Sequence, residues 1–225
     1  MMCSAQVQSP FYDQSAIWPG ASDFKLAKNA NVVRFKAGET LYVEGESAPY
    51  CYQVVSGVVK EYNTLEDGRR QVADFYGVGD LFGISELEDQ LHTAEAITDC
   101  AVRCYSRDPF LKAVASCPKL SQQLLDTLMA RLHSSRERMI MLGRMSAIQR
   151  VAAFLIRLSR EQKATSNIRF IMSRQDIADH LGLTIETVCR ALTEMKKRGV
   201  IIFESARLFS IQDTASLEEI THNSN

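Results

Sequence analysis

No stretch of this 225-residue chain approaches the apolar length, about 18 residues, that a membrane-spanning helix requires, so no membrane segment is expected. Its first 28 residues have neither a cationic start nor an apolar run of the signal-peptide kind. Cysteine is present six times, at 3, 51, 100, 104, 117 and 189, but without the spacing of a disulfide framework or a zinc ribbon. A reducing, cytoplasmic setting is therefore expected. Histidine is scarce: positions 92, 133, 180 and 222 are isolated from one another, and no two stand at metal-ligand spacing. A metalloenzyme of cupin type needs a cluster of histidines with a glutamate, so a catalytic metal is disfavoured and no cofactor is expected.

Charge is spread unevenly. The net charge is −1, yet residues 1–130 hold 11 Lys+Arg against 17 Asp+Glu, whereas residues 131–200 hold 14 against 6. A basic block inside a near-neutral chain is the electrostatic footprint of a phosphate-rich partner, which points to double-stranded DNA.

That block contains the stretch with the most local information, Ser173–Gly199. Ser173 followed by Asp176 is a capping-box variant that starts a helix, with Ile177 and Leu181 on its apolar side. Gly182 supplies the positive φ of a tight turn between helices, and Thr184 caps the next helix. In that second helix Ile185, Val188, Leu192 and Met195 recur at helical spacing and face inward. Glu186, Cys189, Arg190, Thr193 and Lys197 form the opposite stripe. This is a helix-turn-helix with a reading face. Arg matches the O6 and N7 acceptors of guanine, and Glu accepts from the N4 amino group of cytosine. The bland alternative is an intrahelical Glu186–Arg190 pair on a solvated surface. The expected DNA-binding set is Ser173, Arg174, Thr184, Ile185, Glu186, Thr187, Cys189 and Arg190.

Upstream, residues 31–107 read as short β-rich pieces punctuated by glycine, with seven of the eleven glycines between Gly38 and Gly83 and a hairpin signal at Asp67-Gly68. An antiparallel roll of short strands is expected, with Cys100, Val102 and Cys104 on one face as core. From Asp108-Pro109 the pattern becomes helical. Leu125, Leu128, Leu132, Ser135, Met139, Leu142 and Ser146 alternate by three and four, the seam of a two-stranded coiled coil. A homodimer through Leu125, Leu128, Leu132, Met139 and Leu142 is one reading, and a single long helix lying on the roll is the other. Residues 147–160 form a further amphipathic helix, 163–169 a loop, and Val200–Phe203 with Leu208–Ile211 a hairpin wing. The polar tail ASLEEITHNSN is expected to fray.

The fold class is thus α+β, divided as an N-terminal arm (1–28), a β-roll (29–108), a dimerisation helix (109–146) and a winged helix-turn-helix (147–225). The arm carries Phe11, Tyr12, Ile17 and Trp18, which can dock as a short element.

From about Val32 to Ile211 the chain resembles the Crp/Fnr family, and the run Glu186-Thr187-Val188-Cys189-Arg190 is similar to the E-x-x-S-R of its Fnr and FixK branches. The departure is Cys189 in place of serine. The resemblance implies a transcription regulator that binds a palindrome close to TTGAT-N4-ATCAA as a homodimer. It further implies activation through RNA polymerase, contacted by loops around Thr64–Arg70 and Glu86–His92, and a place in low-oxygen or nitrogen metabolism. Gly79–Gly83 (GDLFG) resembles the effector cassette of cyclic-nucleotide-binding domains, and Glu86 and Thr93-Ala94 follow it. No Arg lies between Phe82 and Cys100, so the cyclic phosphate lacks its usual cation. An iron–sulfur cluster of the Fnr kind needs grouped N-terminal cysteines, and only Cys3 is there. A sensor of the same architecture, gated by haem (His92 is the available ligand), redox chemistry or a cyclic nucleotide, is the alternative function. Cys189, exposed beside a guanidinium, is either an oxidant-sensitive thiol or a small stand-in for serine.

Overall fold

Short strands of two to seven residues fill the first half, where β-branched and aromatic residues recur between glycine turns. The computed structural model describes residues 30–84 and 88–222; the expected arm, Cys3 and Glu86 lie outside the described residues. Two antiparallel four-stranded sheets form the roll. One has the order β1 (Asn31–Phe35), β8 (Cys100–Ser106), β3 (Tyr50–Ser56), β6 (Leu81–Phe82). The other runs β2 (Thr40–Tyr42), β7 (Thr93–Ala96), β4 (Val59–Thr64), β5 (Arg70–Tyr76). Register explains the sequence pattern. In β3 and β8, Tyr52, Val54, Cys100 and Val102 join the core inside the roll, with Cys104 packed against it. The alternate residues Cys51 and Tyr105 pair with each other and bury against α1 (Arg107–Ser116) through Phe110 and Val114. Both faces are covered, so these strands read as nearly continuous apolar runs. The Asp67-Gly68 turn joins β4 to β5 as expected, with the Leu65 amide donating to the Arg69 carbonyl at 2.8 Å.

The expected single helix over 109–146 is two. After α1, Cys117 is extended (φ −128°, ψ 105°) because Pro118 follows and disfavours helical backbone before it. α2 then runs Pro118–Arg144. It stops short of Ser146, which instead caps α3 (Ala147–Gln162) in a capping box with Gln149.

By contacts, residues 134–222 group with Leu65–Gln71 as a second compact unit, and the remaining residues to His133 form the first. In the second unit α3 buries Val151, Ala152, Leu155 and Leu158. A three-stranded sheet, ordered β10 (Ile201–Ser205), β11 (Leu208–Ile211), β9 (Ile168–Arg169), forms the wing. β9 lies in the segment expected to be loop, and β10 runs to Ser205 with a bulge after Phe203, which shortens the turn to Ala206-Arg207. The tail does not fray over its first part. α6 (Thr214–His222) starts at Asp213, which accepts from the Ser216 amide at 3.0 Å, and Leu217 is fully buried. Among the described residues no helix is long and apolar enough to cross a membrane, and no group of three or more His, Cys, Asp or Glu is placed to hold a metal ion.

Candidate nucleic-acid interface

Two helices, α4 (Arg174–Leu181) and α5 (Ile185–Lys197), carry the expected face. At the start of α4 the Asp176 amide donates to Ser173 Oγ at 3.0 Å, and the Ser173 amide donates to Asp176 Oδ2 at 3.0 Å. Ser173 Oγ also donates to Asp176 Oδ2 at 2.6 Å, so the hydroxyl is committed to the cap. The turn is closed by Gly182 at φ 63°, a conformation that disfavours any side chain. Arg150 fastens it from below. Its guanidinium donates to the Leu181 carbonyl at 3.0 Å, the Leu142 carbonyl at 2.7 Å and the Met145 carbonyl at 3.0 Å. Nothing local in the sequence marks Arg150 for this, because its acceptors are backbone atoms of separate elements.

On α5, Val188, Leu192 and Met195 are buried and Ile185 is half-buried, which turns Glu186, Cys189, Arg190, Thr193 and Lys197 outward into solvent. Thr184 caps the helix by accepting from the Thr187 amide at 3.3 Å. Arg190 directs Nη2 to Thr187 Oγ1 at 3.2 Å, and no Glu186–Arg190 ion pair occurs among the described residues. The Glu186 carboxyl is held below the usual carboxylate range by its own backbone amide first, then by the Thr184 hydroxyl, with the Arg190 charge a smaller contribution. Both residues are exposed on this face.

Arg174 is placed differently from the other expected contacts. It is half-buried, with its guanidinium 3.7 Å from the Phe170 ring centroid and 5.6 Å from that of Phe203 on the wing. Nη2 reaches the Ala206 carbonyl at 3.5 Å, while Nη1 is shut off from solvent with no hydrogen-bond partner. Burial pulls its pKa down, and Cys189 acts in the opposite direction. Arg174 therefore braces the wing against α4 as well as standing beside the reading face.

The seam residues lie on α2. Leu125, Leu128, Leu132 and Met139 are exposed, together with Met129 and Ile140, whereas Leu142 is half-buried with Cδ2 3.4 Å from where a Cβ on Gly182 would stand.

Residues 149–220 match the Crp-like helix-turn-helix domain, and residues 32–117 match the cyclic nucleotide-binding domain. The nitrogen fixation regulation protein FixK of Rhizobium meliloti is 36% identical over 84% of this chain and 86% of its own length. The chain belongs to the Crp/Fnr family, in its FixK-like branch. It is a DNA-binding transcription regulator. The transcriptional activator protein FnrL of Cereibacter sphaeroides is 31% identical, covering 82% of this chain and 78% of FnrL. The solved structure of FixK2 from Bradyrhizobium japonicum superposes with a TM-score of 0.81 at 35% identity, covering 87% of this chain and 99% of that FixK2 chain.

In this Crp/Fnr chain aromatic side chains pack against one another inside the roll. Tyr42, Tyr52, Tyr76 and Phe82 are all buried, with centroids 5.2 Å apart for Tyr42–Tyr52, 5.4 Å for Tyr52–Phe82 and 5.0 Å for Tyr76–Phe82. Gly83 ends the GDLFG turn at φ 65°, and a Cβ there would stand 2.7 Å from the Tyr52 ring. The aromatic residues were visible in the sequence, but their convergence on this turn depends on strand pairing between distant segments.

Proposed function

We propose that this regulator is a homodimeric, sequence-specific activator that binds an Fnr/FixK-type palindrome and needs no added cofactor. The observation that carries the reading is the α5 face: Glu186 and Arg190 stand exposed and unpaired with each other, one helical turn apart, on a helix whose other side is buried. Residues in the first half of such a helix are those that meet base edges in the major groove, so Glu186 and Arg190 are assigned to base reading. Thr184, Ile185, Thr187 and Cys189 border them. Ser173 and Arg174 are assigned to the backbone side, where the cap and the aromatic brace fix their geometry. Two such heads require a dimer, assigned to the apolar stripe of α2 within the 109–146 segment. Activation is supported by the name of FnrL, and nitrogen or low-oxygen metabolism by the FixK name and the family resemblance. The hairpin tip Thr64–Arg70 is exposed and charged, as a surface for RNA polymerase requires. Cys189 is exposed on the reading face, so oxidation there adds negative charge against phosphate and lowers binding.

The test is a titration of aerobically purified, metal-free, colourless protein against the palindrome at about 0.15 M salt, a condition at which surface charges are screened beyond roughly 8 Å. Tight binding without additions is expected. Binding that appears only with cyclic AMP, haem or an iron–sulfur cluster refutes the cofactor-free reading and restores the gated sensor.

A further inference from the structure

The matched cyclic nucleotide-binding region ends at residue 117, yet a cation from beyond it enters the roll. Arg131, on α2, places its guanidinium 4.9 Å from the Tyr76 ring centroid and donates to the Leu81 carbonyl in the GDLFG turn. Tyr76 in turn donates its hydroxyl to Glu61, whose other carboxylate oxygen accepts from Tyr42. Glu61 is only 7% exposed, and these two hydroxyls give its carboxyl oxygens partners inside the roll. The field of Arg131 also reaches Tyr42, whose hydroxyl is otherwise held protonated, well above its usual range, by burial and by Glu61. A carboxyl group, two phenols and a guanidinium thus make one connected cluster between β2, β4, β5, β6 and α2. Arginine suits this position because its planar fork stacks on a ring and donates at the same time.

We propose that this cluster is a built-in effector: Arg131, held by the Tyr76 ring and the Leu81 carbonyl, with Tyr76 itself anchored on Glu61, locks α2 to the roll's ligand-side turn and so fixes the helix for DNA binding without any ligand. The inference rests on the cofactor-free reading above and supplies its mechanism. A ligand in a gated sensor shifts an equilibrium by its differential contacts with two states. Here a cation meeting the turn and rings packed inside the roll are supplied by side chains of the chain itself. The apolar stripe assigned to the dimer lies on the same helix, at Leu125, Leu128 and Leu132, on either side of Arg131. Loosening that turn of α2 therefore acts where the two subunits are proposed to meet.

The experiment uses the full chain and its palindrome with no ligand added. Arg131→Met is expected to bind at least ten-fold more weakly than wild type while keeping wild-type far-ultraviolet dichroism. Hydrogen exchange of the α2 amides from Thr127 to Ser134 is expected to be at least ten-fold faster, with the α5 amides unchanged. Arg131→Lys keeps the charge but loses the planar fork, and is expected to bind several-fold more weakly; it decides the matter if the methionine variant does not fold. Wild-type affinity in the variant that folds, or unchanged exchange in α2, overturns the built-in effector alone. A wild type that binds only when an effector is supplied overturns the cofactor-free reading and this mechanism together.

Discussion

Replacing both Leu132 and Met139 by aspartate tests the dimer most directly, because the structure shows how much apolar surface the change removes. In the single chain Leu132 is 44% exposed and Met139 66% exposed, together about one whole side chain left in water. Fully burying such a side chain is worth roughly 1.5–3 kcal/mol, so the two positions contribute about 3–6 kcal/mol per symmetric dimer. The double substitution forfeits that and places four carboxylates in the seam, each costly to bury unpaired. At about 1.4 kcal/mol per factor of ten, the dimer should weaken by two to four orders of magnitude or more. Both side chains are exposed in the single chain, so each unit should keep its fold. Sedimentation at micromolar concentration should show monomers, and binding to the full palindrome should be lost, while helix content by circular dichroism stays at the wild-type level. A double variant that remains dimeric would refute the seam and move the interface elsewhere on the chain.

Arg190→Ala should cost about 1–3 kcal/mol at the cognate site and flatten discrimination at one G·C pair; equal loss on every sequence would mean that Arg190 touches only phosphate. Peroxide should weaken DNA binding of the wild type but leave Cys189→Ser unaffected, and a serine variant that loses affinity as steeply removes Cys189 as the oxidant-sensitive group. Leu217→Ala should lower the stability of the DNA-binding unit by roughly 2–5 kcal/mol, measured as a shift in its denaturant midpoint, since the side chain is fully buried beneath α6. A change under about 0.5 kcal/mol, the size usual for a surface position, would mean that the tail frays as its composition suggests.

The helix-turn-helix was legible because its signals are local. Ser173 with Asp176, Gly182 and Thr184 each act within four residues, and the buried stripe of α5 follows its own period. The break at Cys117 was equally local, since Pro118 announces it, yet the run of leucines beyond concealed it. Elements that depend on distant partners were not legible. β6 has two residues and exists because Leu81 and Phe82 pair with Gln53 and Tyr52; β7 is held by Val59–Tyr62. α6 has a cap at Asp213, but its short polar sequence becomes a helix by packing on α3, where Arg160 also reaches Glu218 at 3.2 Å.

The same distinction governs the basic block. Its 14 Lys+Arg between 131 and 200 suggest a large phosphate-binding surface, but several of those cations are already engaged within the chain. Arg131 is bound to the roll, Arg150 to three backbone carbonyls, Arg157 to Glu161 at 2.7 Å and Arg174 to the rings of Phe170 and Phe203. A cation fixed on an internal carbonyl or carboxylate has little condensed counterion to exchange on DNA. The slope of log affinity against log salt follows the number of phosphates neutralised, at about −0.9 for each. That slope should therefore be shallower than the count of basic residues implies. The charge pattern overlaps the matched helix-turn-helix domain, whereas the number of phosphate contacts should be set by which guanidiniums the fold has left facing outward, with Arg190 the clearest of them.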